Sequence, residues 1–322
     1  MAPGAFDVAR SRAVRSPVRD DGGKGMIAYL LLVHRYPEQF KRLFKAIHDP
    51  ANTYLVHVDK NSGPALERDI AGFLAEYPNS AVLESRPALW GGYSLIDAEL
   101  RGMAKLLEMN ADWEFFINLS GQDFPLKSQT AIKAFLAKNR GKEFIRAVDQ
   151  QVVRPDTMNR VRKYVIELKD RIVRTPISRP FLWGATPYIG NQWMIVSRRF
   201  CQFVCHDPST ARYKAFYRHT FIADEGFFQT VMMNTAEHGQ LVCDDLRSID
   251  WVPDGDIKLR PRTFGLADAA SLIGSPNLFA RKFDADTDAD ILTVLEADLA
   301  AQDRKPATKL QDRLKRLTTR AA

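Results

Sequence analysis

Residues Asp112–Ser128 read DWEFFINLSGQDFPLKS, and this stretch decides the fold. It opens with Trp113, Glu114, Phe115, Phe116 and Ile117, an apolar run of strand length made of strong β-formers. The run stops at Asn118 and gives way to Ser120, Gly121, Gln122 and Asp123, then Pro125. Proline cannot donate to a sheet ladder, so the strand is expected to end before it. In open α/β sheets, ligands bind outside the carboxyl ends of the strands. A buried strand that spills into a polar, glycine-containing loop is therefore either a ligand site or an ordinary turn.

The flanking sequence alternates. Upstream, Ile27 to Val33 and Tyr54 to Val58 read as strands, and Ala81 to Leu83 as a short one. Between them Pro37 to Ile47, with proline in its first turn, and Pro64 to Glu76 read as helices. Trp90-Gly91-Gly92-Tyr93-Ser94 reads as a loop before a helix that begins at Ser94 or Asp97 and runs to about Met109. Downstream come a helix near 129–138 and the apolar Glu143-Phe144-Ile145. Strand alternating with helix predicts a mostly parallel central sheet with helices on both faces. The rhythm breaks at 149–189, rich in Arg, Lys and Pro, with a helical patch expected from Asp156 to Arg171. That segment reads as an insertion facing a substrate. Asn191 to Val196 returns as a strand, followed by helices near 198–205, 208–219 and 224–236. A last helix from about Asp288 to Ala301 closes a single domain, residues 26–302. Residues 1–25 lack periodicity and read as a disordered tail, which leaves Met1 and Met26 as alternative starts; residues 303–322 read as a basic tail or helix.

Length and composition suit a globular domain: 322 residues, 45% hydrophobic and 26% charged. No run reaches the roughly 18 to 20 apolar residues of a membrane span, and no secretory segment precedes Met26. A cytoplasmic chain is expected. The net charge of +7 sits on the tails. Residues 1–25 carry five basic and three acidic groups and residues 303–322 carry seven and two, which leaves the body neutral. A nucleic-acid-binding domain would carry its excess on the body, so no nucleic-acid partner is expected. The stretch Lys305 to Arg320 is either a solvated helix face or a peripheral contact with an acidic inner membrane face. Cys201, Cys205 and Cys243 are too few for a disulfide framework and read as core or free thiols.

Several residues carry chemistry. Asp59 ends the second strand, where it can read a nucleotide's ribose or base, or cap a turn. Neither a dinucleotide glycine fingerprint nor a phosphate-binding P-loop motif is present. In FIADEGFFQT, Asp224 reads as an N-cap and Glu225 as a carboxylate among Phe221, Phe227 and Phe228. Such a group can act as a general base, or simply favour a helix N-terminus. In LFARKFD, Arg281 and Lys282 sit in an apolar frame, as cations that meet a phosphate leaving group or as snorkelling edge residues. Asp254-Gly255-Asp256 and the run Asp284 to Asp290 read as turns and caps, so no metal site is expected.

In this order and spacing, FKAIHDPANTYLVHVDK, WGGYSL, FFINLSGQDFPLKS, NQWMIVSRRFCQFV, ADEGFFQT and LFARKFD resemble the family of core-2 and I-branching β1,6-N-acetylglucosaminyltransferases and peptide O-xylosyltransferases. The resemblance covers about Met26 to Asp290. It implies a GT-A type nucleotide-sugar-binding fold and an inverting, metal-independent glycosyl transfer from a UDP-sugar, with no further cofactor. By position, it implies Glu225 as catalytic base and Lys282 as the diphosphate-steadying cation. It likewise places Asp59 and Trp90 at the uridine, with Val33 at the end of the first strand. Ser120 and Asp123 fall beside the donor sugar. The family's second diphosphate cation falls on Leu259, a departure that leaves Lys258, Arg260, Arg262 or Arg281 to replace it. The donor is UDP-xylose or UDP-N-acetylglucosamine, and the acceptor a glycan or peptide hydroxyl met by 149–189. The disulfides and membrane anchor of animal members are missing from this sequence. The rival readings are a non-catalytic nucleotide-sugar-binding protein and a membrane-surface or nucleic-acid adaptor working through the basic tails.

Overall fold

A computed structural model describes residues 27–255 and 259–304, so the expectations for residues 1–25, Lys258 and the tail beyond Arg304 lie outside the described residues. The strand begun at Phe115 lies at the middle of a seven-stranded sheet. In chain order its strands are β1 (Ile27–Val33), β2 (Thr53–Val58), β3 (Ser80–Leu83), β4 (Phe115–Ser120), β5 (Lys142–Ile145), β6 (Met194–Ser197) and β7 (Gln240–Val242). The spatial order is β7-β5-β6-β4-β1-β2-β3. All neighbours run parallel except β6, which is antiparallel to both β4 and β5.

Both faces are covered, as continuous apolar strands require. Tyr29, Leu31 and Val33 of β1 pack on one side with Phe40, Phe44, Ile132 and Leu295, from the helices Pro37–Ile47, Gln129–Lys138 and Asp290–Arg304. Ala28, Leu30 and Leu32 face the other way, toward Ile96, Met103, Phe200 and Phe227, from Tyr93–Met109, Arg198–His206 and Phe227–Met233. β1 is buried over its whole length. The mostly parallel sheet with helices on both faces is as expected. No helix among the described residues is long and apolar enough to cross a membrane. Cys201, Cys205 and Cys243 are free.

Two expectations are corrected. β4 does not stop at Asn118; it continues to Ser120, because Asn118 sends its side chain to Glu99 and to the Gln192 carbonyl while its backbone stays in the ladder. The strand does end before Pro125, as expected, and Pro125 lies in a second short strand, Asp123–Pro125. That strand is the edge of a separate three-stranded sheet with Phe279–Arg281 and Arg247–Ile249, and an edge tolerates the missing donor. The helical patch from Asp156 to Arg171 is instead two short turns followed by an antiparallel hairpin, Lys163–Glu167 with Ile172–Ser178. Ile166 pairs with Val173, Val165 with Arg174 and Glu167 with Ile172, so β-formers stand on both sides of a polar turn, and cross-strand pairing wins over the helical spacing.

Candidate functional site

The carboxyl ends of β1, β2 and β4 meet at one place. The backbone N–H of Asp59 donates to Val33 O at 2.8 Å, and that of Gly121 to Leu32 O at 2.9 Å, so the chain turns after each strand within one small region. Val33 is buried at this junction. The Asp59 carboxylate accepts from Asn61 N–H at 3.0 Å and from Ala88 N–H at 3.1 Å. It is therefore a turn cap that also fixes the loop leading to Trp90.

Trp90 is 64% exposed and stands edge-on to Phe221, with ring centroids 5.9 Å apart. Arg174 of the inserted hairpin covers the Phe221 ring at 3.7 Å. The two glycines after Trp90 are needed for different reasons. Gly91 has φ +77°, which an L side chain rarely adopts. A Cβ on Gly92 would lie 2.4 Å from Glu167 Oε1, and Glu167 accepts from Ser94 N–H at the start of the helix Tyr93–Met109. Gly91 O in turn accepts from Ile222 N–H at 2.8 Å, which joins the Trp90 loop to the segment carrying Glu225.

Asp123 is fully buried and saturated. It accepts from Ser120 N–H at 2.8 Å, Ser120 Oγ at 3.3 Å and Arg281 Nη1 at 2.6 Å. Arg281 also donates to Ser120 Oγ at 3.1 Å and lies over the Trp193 ring at 4.2 Å. Arg281 and Ser120 therefore build the floor of the site with Asp123.

Lys282 differs. Among the described residues its ammonium has no hydrogen bond or ion pair. Burial lowers its pKa, and Arg35, Arg281 and Arg260 lower it further, against a weaker pull from Asp284. His34 lies in the same field: burial and then Arg35 lower its pKa, Asp59 opposes them, and Arg281 and Lys282 add to them. Asp59, Arg35, Arg281 and Lys282 thus converge on one location. Three cations, Arg35, Arg281 and Arg260, lie around one ammonium that has no partner among the described residues, a field that favours a negative charge there. Arg262 is not part of it. It is held by Asp250 at 2.6 Å and bidentately by Asp268 at 3.0 and 2.9 Å, which raises its pKa. Arg260 makes one loose pair, 3.8 Å from Asp254, and stays within the field of Lys282.

Glu225 ends a 3-10 turn, Ala223–Glu225, before the helix Phe227–Met233. Asp224 is not the N-cap; Gly226 occupies that position, and Asp224 points into the interior. Of the three phenyl rings expected around Glu225, only Phe221 lies beside it, since Phe227 and Phe228 turn into the core. Its Oε2 accepts from Arg160 Nη1 at 2.5 Å. Together they line a cavity of about 10 Å³ with Gln150, Tyr217 and Phe221, room for a single water at most. Glu225 O accepts from Gly190 N–H at 2.8 Å, and the chain from Gly190 leads directly to Trp193 beneath Arg281. Base candidate and cation cluster are thus linked from both sides.

Sequence reasoning missed Arg35, Arg160, Trp193 and Glu99. Arg35 follows a parallel strand's carboxyl end, which was a usable signal. Arg160 meets Glu225 only through tertiary folding. Among the described residues no group of three His, Cys, Asp or Glu side chains is placed to hold a metal. Asp284 and Asp288 accept from nearby backbone N–H groups as turn and cap residues.

Open α/β sheets of this kind keep their ligands at the carboxyl ends of the strands, where these side chains gather. Residues 27–272 match the family model described as Core-2/I-Branching enzyme. Xylosyltransferase 2 of Canis lupus familiaris is 32% identical over 304 residues, 89% of this chain and 35% of that protein. Human xylosyltransferase 2 is 32% identical over 297 residues, 87% and 34% of the two chains. The xylosyltransferase of Ciona intestinalis is 31% identical over 292 residues, 85% and 34%. The chain belongs to the Core-2/I-Branching enzyme family. It spans about a third of the length of the curated relatives it matches.

Proposed function

We propose that this chain is an inverting, GT-A type glycosyltransferase that moves a sugar from a UDP-sugar to an acceptor hydroxyl without a metal ion. The observation that carries the reading is the unpaired Lys282 among Arg35, Arg260 and Arg281, at the same strand ends as Asp59. Asp59 and Trp90 hold the uridine, and Val33 floors that side. Glu225 takes the proton from the acceptor hydroxyl as its oxygen attacks the anomeric carbon. The bond from that carbon to the diphosphate breaks, and its electron pair leaves with UDP. Lys282, Arg35 and Arg260 stabilise the departing charge. Arg281, tied to Asp123, sets the floor on which Lys282 stands. The names of the relatives favour xylose as the sugar, with N-acetylglucosamine the alternative. The segment 149–189, which supplies Arg160 beside Glu225 and Arg174 over Phe221, faces the acceptor.

UDP release measured with both donors over a panel of hydroxyl acceptors tests the reading. Release that depends on donor and acceptor supports it. Donor binding without release on any acceptor would favour a binding protein instead. Turnover is expected to survive EDTA nearly unchanged, because cations replace the metal. Loss of most activity on chelation, restored by manganese, would overturn the role given to Lys282.

A further inference from the structure

Behind Glu225 lies a carboxyl that the proposed reaction does not use. Glu99, on the helix Tyr93–Met109, is fully buried, and this helix packs directly on the Ala223–Glu225 turn. Its Oε1 accepts from Asn118 Nδ2 at 2.7 Å and Gln192 Nε2 at 3.3 Å. Among the described residues its Oε2 is buried without a partner, and so is Oδ1 of Asp224 on the facing turn. Ionised carboxylates only accept hydrogen bonds, so two of them cannot satisfy each other; a proton on one supplies the missing donor.

The surrounding charges do not neutralise Glu99. On its own helix, Asp97 and Arg101 pair with each other at 2.9 Å. On β2, His57 is buried near that pair. On the helix Arg198–His206, Arg198 bonds the carbonyls of Asn110 and Leu107, and Cys201 and Cys205 stay neutral thiols, their pKa values raised by burial. The neighbouring charge that acts on Glu99 is that of Asp224, and those that act on Asp224 are Glu225 and Arg160.

We propose that Glu99 and Asp224 share one proton at neutral pH, and that Glu99 is thereby a positioning residue that seats the Glu225 turn against β4. Burial first, then the Asp224 charge, pushes Glu99 up to about 8; burial, then the Glu225 charge, pushes Asp224 up to about 7. With the proton shared, Glu99 grips Asn118 on β4 and Asp224 on the turn at once. With both ionised, repulsion loosens the turn and misplaces Glu225. The catalytic half of this inference rests on Glu225 being the base; the proton-sharing half does not.

Thermal unfolding of the full chain, without substrate, is measured from about pH 5 to about pH 9, beside kcat over the alkaline part of the range. A free glutamate loses its proton near 4.5, whereas folded Glu99 keeps its own to about 8. Between these values the native state binds more protons than the unfolded one. The stability from this group is therefore complete below about 4.5 and is lost as pH rises through about 8. The wild type is expected to lose thermal stability across that window and kcat at its alkaline end. Glu99→Gln, whose amide donates at every pH, is expected to lose that part of the decline and to flatten the alkaline fall in kcat. Asp224→Asn is the second variant and is expected to shift the thermal profile likewise. An unchanged pH slope of thermal stability in both variants would overturn the shared proton. A flattened slope with an unaltered kcat profile would overturn the positioning role alone. A flattened slope beside a fully active Glu225→Gln variant would keep the shared proton and remove the base assignment instead.

Discussion

Glu225→Gln is expected to lower kcat by on the order of 10² to 10⁴-fold while UDP binds as before. The amide keeps the size of the side chain and can still accept a hydrogen bond from Arg160, so the turn should stay in place. What it loses is the ability to take a proton in the transition state. The uridine side, at Asp59 and Trp90, and the cation cluster around Lys282 involve other side chains, which is why donor affinity is unaffected. A fall in kcat without a change in donor affinity marks an interaction made only in the transition state. Near-full turnover on a defined acceptor would show that Glu225 is not the base.

The second large effect is on stability. Arg281→Met is expected to destabilise the chain by about 3–5 kcal/mol, because it leaves Asp123 as a buried, unpaired charge. Asp123 is fully buried and the Arg281 side chain is only 14% exposed, so water screens the pair poorly. Backbone and hydroxyl donors from Ser120 remain, but no cation does. Asp123→Asn combined with Arg281→Met should recover part of the loss, since the double variant strands no charge. Equilibrium urea unfolding of the two variants measures this. A loss below about 1 kcal/mol in Arg281→Met would place the pair among weakly contributing surface bridges and contradict its role as floor of the site.

Lys282 follows a different pattern. Its charge meets the diphosphate before, during and after transfer, so Lys282→Ala is expected to weaken UDP binding and turnover together. Since the ammonium makes no ion pair among the described residues, the folded state should lose little with it. A Lys282→Ala variant with unchanged UDP affinity would move the diphosphate away from this cluster.

The sheet was legible because its strands are buried on both faces and read as continuous apolar runs between helices. The hairpin Lys163–Ser178 was not, because a helical spacing of charges overlay a pattern of β-formers whose pairing only tertiary contact decides. Asp59, Ser120 and Asp123 could be picked out because strand ends are where such folds keep ligands, and Lys282 because a cation between Leu278, Phe279 and Phe283 is out of place in an apolar frame. What those residues do was less visible. Arg262 looked as available as Arg260 until Asp250 and Asp268 were found on it, partners twelve residues before and six after in the chain. Arg35, Arg160 and Glu99 escaped notice because each acts on a residue far away in sequence, 65 positions in the case of Arg160 and Glu225. Local pattern carries no record of such pairs.

The central claim is that the cation-ringed strand ends hold the diphosphate of a uridine nucleotide. Isothermal titration of UDP, UDP-xylose and UDP-N-acetylglucosamine into the chain, in buffer containing EDTA, tests it without any knowledge of the acceptor. Saturable binding of UDP and of at least one UDP-sugar, at one site per chain and without divalent metal, is the predicted result. Absence of binding by all three nucleotides, or binding that appears only when manganese is supplied, would contradict the account.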